Sequence, residues 1–211
     1  MKDQSRAFFC LALLTVCVLL AAGCTTPRMG DTHNTTIVIQ DYNQWAAQQN
    51  ASSAQVKTSL AQLGSTLDAY NRDTAGSSPD PATLRGDVAA DQQAIGQWGA
   101  AIQALQSATG TFSSDTSALE FGSDGETPHL AGLLAQEMKI YTIQMGNAQQ
   151  HFVDYTQDMS TYLSVDDPDY RDDAMRTAAM DAKAQAISSL DQSDLTLSNI
   201  TATAQLLQQR Q

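Results

Sequence analysis

Cysteine is nearly absent, and its placement is telling: Cys10, Cys17 and Cys24 all lie in the first 24 residues. Nothing beyond Cys24 can form a disulfide or a thiolate metal site, so stability there must come from packing. Glutamate is scarcer than aspartate, with only Glu120, Glu126 and Glu137. A di-iron carboxylate bundle needs paired Glu-x-x-His motifs on facing helices, and the chain has none. Haem attachment through Cys-x-x-Cys-His, a Gly-x-Ser-x-Gly elbow, a phosphate-binding Walker loop and a His-Glu-x-x-His zinc motif are absent as well. No catalytic residue, metal site or cofactor is expected. Basic side chains are few, 11 Lys and Arg against 23 Asp and Glu, for a net charge of −12. A surface of this sign excludes nucleic acid as a partner, because such binding relies on neutralising phosphates.

Only one long apolar run exists. Lys2 and Arg6 precede an uncharged stretch from Ala7 to Ala22 that closes on Leu20, Ala21, Ala22, Gly23 and Cys24. A basic start, an apolar stretch of this length and small residues before a cleavage point describe an export signal. The cysteine after Ala22-Gly23 resembles the lipobox of prokaryotic lipoproteins. The resemblance covers residues 1–24 only, and Ala21 stands where leucine is more usual. It implies cleavage after residue 23, thioether lipidation of Cys24 and an acylated N-terminus. A chain so modified is anchored to a membrane through its lipid, since two or more acyl chains hold firmly where one holds marginally. No later segment reaches the roughly 20 apolar residues of a spanning helix. Thr25 is not the aspartate that resembles an inner-membrane retention signal. The expected location is the outer face of the cell membrane in an archaeon or a Gram-positive cell, or the outer membrane of a diderm bacterium.

Residues 24–40 read as the lipidated cysteine and a flexible tether, because Pro27, Gly30 and a cluster of Thr, Asn and Asp oppose a helix. From Asp41 a helical period sets in. Tyr42, Ala46, Gln49, Ser53, Val56, Leu60, Leu63, Leu67 and Tyr70 alternate steps of four and three, the rhythm of a seam facing partner helices in a left-handed bundle. After the Gly76–Pro81 breaker comes Leu84, Val88, Asp91, Ile95, Trp98, Ile102, Leu105, Thr109 and Phe112, with Asp80 and Pro81 suited to cap and first position. The third stripe is Leu134, Met138, Tyr141, Met145, Ala148, Phe152, Tyr155, Met159 and Tyr162. A fourth, richer in alanine, carries Met180, Ile187, Leu190, Leu197, Ile200, Ala204 and Leu207, with Asp167 as its candidate cap. Helices are expected near 41–72, 81–112, 128–164 and 167–209. The predicted fold is all-α, an elongated up-down-up-down four-helix bundle over residues 41–211 behind its N-terminal lipid-anchored tether.

Candidate sites are sparse. Asp91 falls on a core stripe, where an unpaired carboxylate is costly. Lys183, Arg176 or a tyrosine hydroxyl could answer it, and Asp194 raises the same question on the fourth helix. A ligand pocket would draw on Asp91, Trp98, Tyr141 and Met145, since thioethers and rings make adaptable linings. His151 flanks the third stripe near Phe152, as an ordinary boundary histidine. Asn34, Asn50 and Asn199 each precede a hydroxyl residue by two places and are N-glycosylation acceptors in an organism that glycosylates its surface, Asn34 being the most accessible if it lies in a tether. The sequence thus points to a non-catalytic envelope scaffold or protein-interaction module, with an envelope protein as partner. The alternative is a small-molecule or cation-binding sensor or carrier working with a separate membrane partner.

Overall fold

Four helices account for nearly all of the described chain: α1 (Met29–Thr74), α2 (Pro81–Ala118), α3 (Glu126–Tyr162) and α4 (Asp173–Gln208). The computed structural model describes residues 29–74, 80–119, 125–167 and 170–210. The export signal, Cys24 and its cleavage site lie outside those residues. At 1.5 Å per residue the helices run about 54–69 Å.

Contacts across the core give the topology. Trp45, Ser59 and Thr66 of α1 meet Thr109, Ala94 and Asp91 of α2 in reverse order, so the two are antiparallel. Thr109 meets Thr142, and Trp98 meets Phe152, which sets α2 against α3 in the same sense. Glu137 meets Thr203, and Arg210 pairs with Glu126, so α3 and α4 are antiparallel too. The helices pack α1 on α2, α2 on α3 and α3 on α4, while α4 barely touches α1. This is the expected up-down-up-down bundle, with one loose seam.

The stripes on α2 and α3 are buried at every position from Leu84 to Phe112 and from Leu134 to Tyr162. On α1 the inward face is rotated from the expected one. Tyr42, Ala46, Gln49, Val56, Leu63 and Tyr70 are buried as expected, but Trp45, Ser52, Ser59 and Thr66 are buried beside them and Ser53 is only half-buried. Leu60 and Leu67 stay half-buried on the α4 side. The reason is size and hydrogen bonding. Ser59 donates to the Ala94 carbonyl at 3.1 Å and Thr66 to Asp91 at 3.0 Å, so small hydroxyl residues face the tightly packed α2. The leucines are left toward the seam that α4 does not close.

Three boundaries differ from the sequence reading. The expected tether is helical from Met29, and Thr35 and Val38 extend the buried three-and-four rhythm back from Tyr42. That burial outweighs the poor local propensities of the segment. α2 runs to Ala118 rather than 112 because Thr116 is buried one turn beyond Phe112 and Leu119 packs on the core. α4 starts at Asp173, not 167. Its cap is Asp172, whose carboxylate accepts from the Ala174 N–H at 2.9 Å. Arg171 donates to the carbonyls of Val165 and Asp166, holding the preceding turn outside the helix.

The same end of the bundle carries Arg85, which bonds the Asp166 carboxylate at 2.6 Å and the Leu163 carbonyl at 3.3 Å. Both charged side chains are well exposed. Arg85→Ala is expected to cost no more than about 1 kcal/mol in urea unfolding, as solvent-screened pairs do.

Candidate functional site: polar layers in the bundle core

Polar side chains enter the core in layers, each drawn from several helices. In the first, Trp45 Nε1 donates to Thr109 Oγ1 at 2.9 Å, and the Thr109 and Thr142 hydroxyls lie 3.0 Å apart. Both threonines also bond the carbonyl one turn back, at 2.8 Å. Next to it, Gln49 donates to the Tyr141 hydroxyl at 3.3 Å and to Ser53 at 2.9 Å. The Trp45 and Tyr141 rings meet edge to face, 5.7 Å between centroids. Burial raises the Tyr141 phenol above its ordinary range, and the half-buried Asp194 carboxylate adds to the effect. Asp194 is itself raised by burial, then by Asp191. These groups answer one another and leave little polar capacity for a guest.

A second kind of layer surrounds Asp91, which is 1 % exposed. Its Oδ1 accepts from Thr66 Oγ1 at 3.0 Å, while Oδ2 finds no donor among the described residues. Desolvation pushes the carboxyl up to about 7. Thr66 and Gln62 oppose that rise, and the like charge of Asp87 adds to it. The buried Tyr155 hydroxyl also lacks a partner among the described residues. Burial, then the Asp91 charge, lifts that phenol further above its normal value. Tyr155 also lines a water-sized cavity of about 20 Å³ in the α1–α4 seam. Its walls are Leu60, Leu63, Gly64 and Leu67 of α1, Phe152 and Tyr155 of α3, and Lys183 and Ile187 of α4. Burial lowers the Lys183 ammonium below the usual lysine range.

The four residues expected to share a pocket do not converge. Asp91 faces Thr66, Trp98 packs against Phe152 with ring centroids 5.9 Å apart, and Tyr141 sits with Trp45 and Gln49. Met145 is buried one heptad before Phe152. Tyr141 lies two heptads from Tyr155, a rise of roughly 21 Å along α3. Heptad spacing aims side chains inward, but it distributes them along the axis instead of gathering them. None of the partners considered for Asp91 donates to it: the donor is Thr66, and a tyrosine, Tyr155, stands near without a hydrogen bond. Arg176 is at the surface beside Asp173. Thr66 escaped the sequence reading because its position was assigned to Leu67; a seam drawn through Thr66 and Ser59 would have found it.

The remaining candidates are peripheral. His151 is half-buried with Nδ1 4.0 Å from Asp154. Asn34 is half-buried within α1, not in an open tether, whereas Asn50 and Asn199 are exposed on helices. Glu137 accepts from Thr203 at 2.9 Å, and burial raises its carboxyl. No helix among the described residues is long and apolar enough to cross a membrane. No protein-family model matches the chain, and no curated protein or solved structure matches it either.

Proposed function

We propose that this chain is a lipid-anchored extracytoplasmic bundle acting as a non-catalytic scaffold or protein-interaction module of the cell envelope. The observation that carries the reading is how closely the interior is packed along α2 and α3, the Asp91 layer apart. The α2 and α3 stripes are buried throughout, and Trp45, Thr109, Thr142, Gln49 and Tyr141 bond one another. What remains for recognition is the long outer surface. The anchor rests on the Ala22-Gly23-Cys24 pattern behind its basic and apolar segments.

Fractionation of the full chain tests the anchor. Wild type is expected with membranes, and Cys24→Ser is expected to shift to the soluble fraction or to persist as an uncleaved precursor. A Cys24→Ser chain processed and membrane-bound like wild type would refute the lipid. In-cell crosslinking from surface positions such as Asn50 and Asn199 then tests the scaffold, which requires a reproducible envelope-protein adduct.

The orphaned Oδ2 of Asp91 favours a second reading, a sensor or carrier for a small molecule or cation. Native mass spectrometry of the freshly purified chain separates the two. A reproducible mass lost on denaturation supports the sensor, and the bare chain supports the scaffold.

A further inference from the structure

The Asp91 layer is unlike the others in two geometric respects. It holds two buried oxygens, Asp91 Oδ2 and the Tyr155 hydroxyl, without hydrogen-bond partners among the described residues. It also backs, through Tyr155, onto the one seam where neighbouring helices scarcely touch, that between α1 and α4. A buried carboxylate without sufficient donors is stable only while neutral, or once water or a cation reaches it.

We propose that Thr66, Asp91 and Tyr155 form a proton-operated latch: the neutral Asp91 carboxyl lets α1 and α4 keep the loose, closed contact of this structure, and its ionisation opens that seam further. The groups facing Asp91 offer hydrogen bonds to the carboxylate but no cation. α1 presents Thr66 and Gln62, α2 adds the like charge of Asp87, and α3 presents the Tyr155 phenol. The cation on the fourth side, Lys183, stands across the cavity from Tyr155 and is half-buried. Opening would bring water toward the carboxylate. It would also uncover Leu60, Leu67 and Ile187, an apolar strip that the closed bundle half covers. With the Asp91 carboxyl at about 7 in the closed state, the change falls near neutral pH.

Hydroxyl-radical footprinting of the full chain, read by mass spectrometry at pH 5 and pH 8, tests the latch. The oxidation of Leu60, Leu67 and Ile187 is expected to rise roughly threefold or more at pH 8, relative to the fully buried Leu105 and Leu134, as a local opening requires. In Asp91→Asn the ratio should stay at its pH 5 value at both pH values. Equal labelling of the seam at both pH values would overturn the latch. So would a rise at Leu105 and Leu134 of the same size, or a rise that persists in Asp91→Asn. The wild-type comparison decides the matter even where the variant folds poorly.

Discussion

Acidification from pH 8 to pH 5 is expected to stabilise this protein, and Asp91→Asn is expected to remove most of that gain. The usual carboxylate has a lower pKa in the folded chain and loses stability as pH falls. Asp91 reverses the sign. Its folded pKa is about 7 against an ordinary 3.8, so between those values the folded state holds a proton that the unfolded chain has lost. Stability from this group is full below about pH 4, falls as pH rises toward 7, and is level above. A shift of this size corresponds to roughly 4 kcal/mol in full, of which about 3 kcal/mol is lost between pH 5 and pH 8. Asp41, Glu137 and Asp194 are raised as well, each chiefly by burial, and they leave a shallower slope of the same sign in the variant. A net charge of −12 adds self-repulsion that protonation relieves. Urea midpoints of wild type and Asp91→Asn at pH 5, 6, 7 and 8 measure the effect. The variant should exceed wild type by a margin that widens from pH 5 to pH 8. A wild-type midpoint that is flat or rises with pH would mean that Asp91 ionises freely in the folded chain. This effect concerns global unfolding, so it can hold even where the α1–α4 seam stays shut.

How much of this was legible in the sequence differs from helix to helix, for a physical reason. On α2 and α3 the inward residues are also the large ones, so apolar periodicity and burial coincide from Leu84 to Phe112 and from Leu134 to Tyr162. Each of these two helices has a closely packed neighbour on both sides, α1 and α3 for α2, α2 and α4 for α3. α1 lacks that enclosure. Its inward face mixes Trp45, Ser52, Ser59 and Thr66 with the expected residues, and hydrophobicity alone favours Leu60 and Leu67, which the open seam leaves half covered. α4 repeats the pattern with Ala179, Ala182, Ala186 and Ser193 buried, and Met180, Ile187 and Leu197 only partly so. Small residues carry little hydrophobic signal, yet they are what lets helices approach closely. Asp91 was visible as an anomaly on its stripe, but which side chains answer it depends on axial register between helices, and no single-helix period contains that. The extension of α1 back to Met29 was hidden for a related reason. Gly30, Asn34 and the threonines argue for a tether locally, while Thr35 and Val38 are held by the rest of the bundle.

The two tryptophans should respond differently to the same substitutions, although both are almost wholly buried. Trp45 is 1 % exposed and Trp98 is 0 % exposed, so truncating either to alanine removes a large ring from a packed core, a loss of about 3–5 kcal/mol. Phenylalanine separates them. Trp45 Nε1 donates to Thr109 Oγ1 at 2.9 Å, so Trp45→Phe loses that bond and some ring volume together. The Trp98 Nε1 has no acceptor among the described residues. Trp98→Phe therefore gives up volume beside Phe152 but also removes a buried donor whose hydration is lost on folding, a group that costs about 1–3 kcal/mol when unanswered. Trp45→Phe is accordingly expected to be the more destabilising of the two, by about 1–2 kcal/mol, with both alanine variants worse than either. Thr109→Val supplies the control. It removes the acceptor, so in its background the penalty of Trp45→Phe should shrink while that of Trp98→Phe stays the same, because the two sites share no partner. Urea unfolding at the one pH of 5, where the folded Asp91 carboxyl is neutral in every variant, keeps its contribution the same throughout the comparison. Equal costs for the two phenylalanine variants would mean that the Trp45–Thr109 bond contributes nothing net, and that ring volume alone sets the stability of this core.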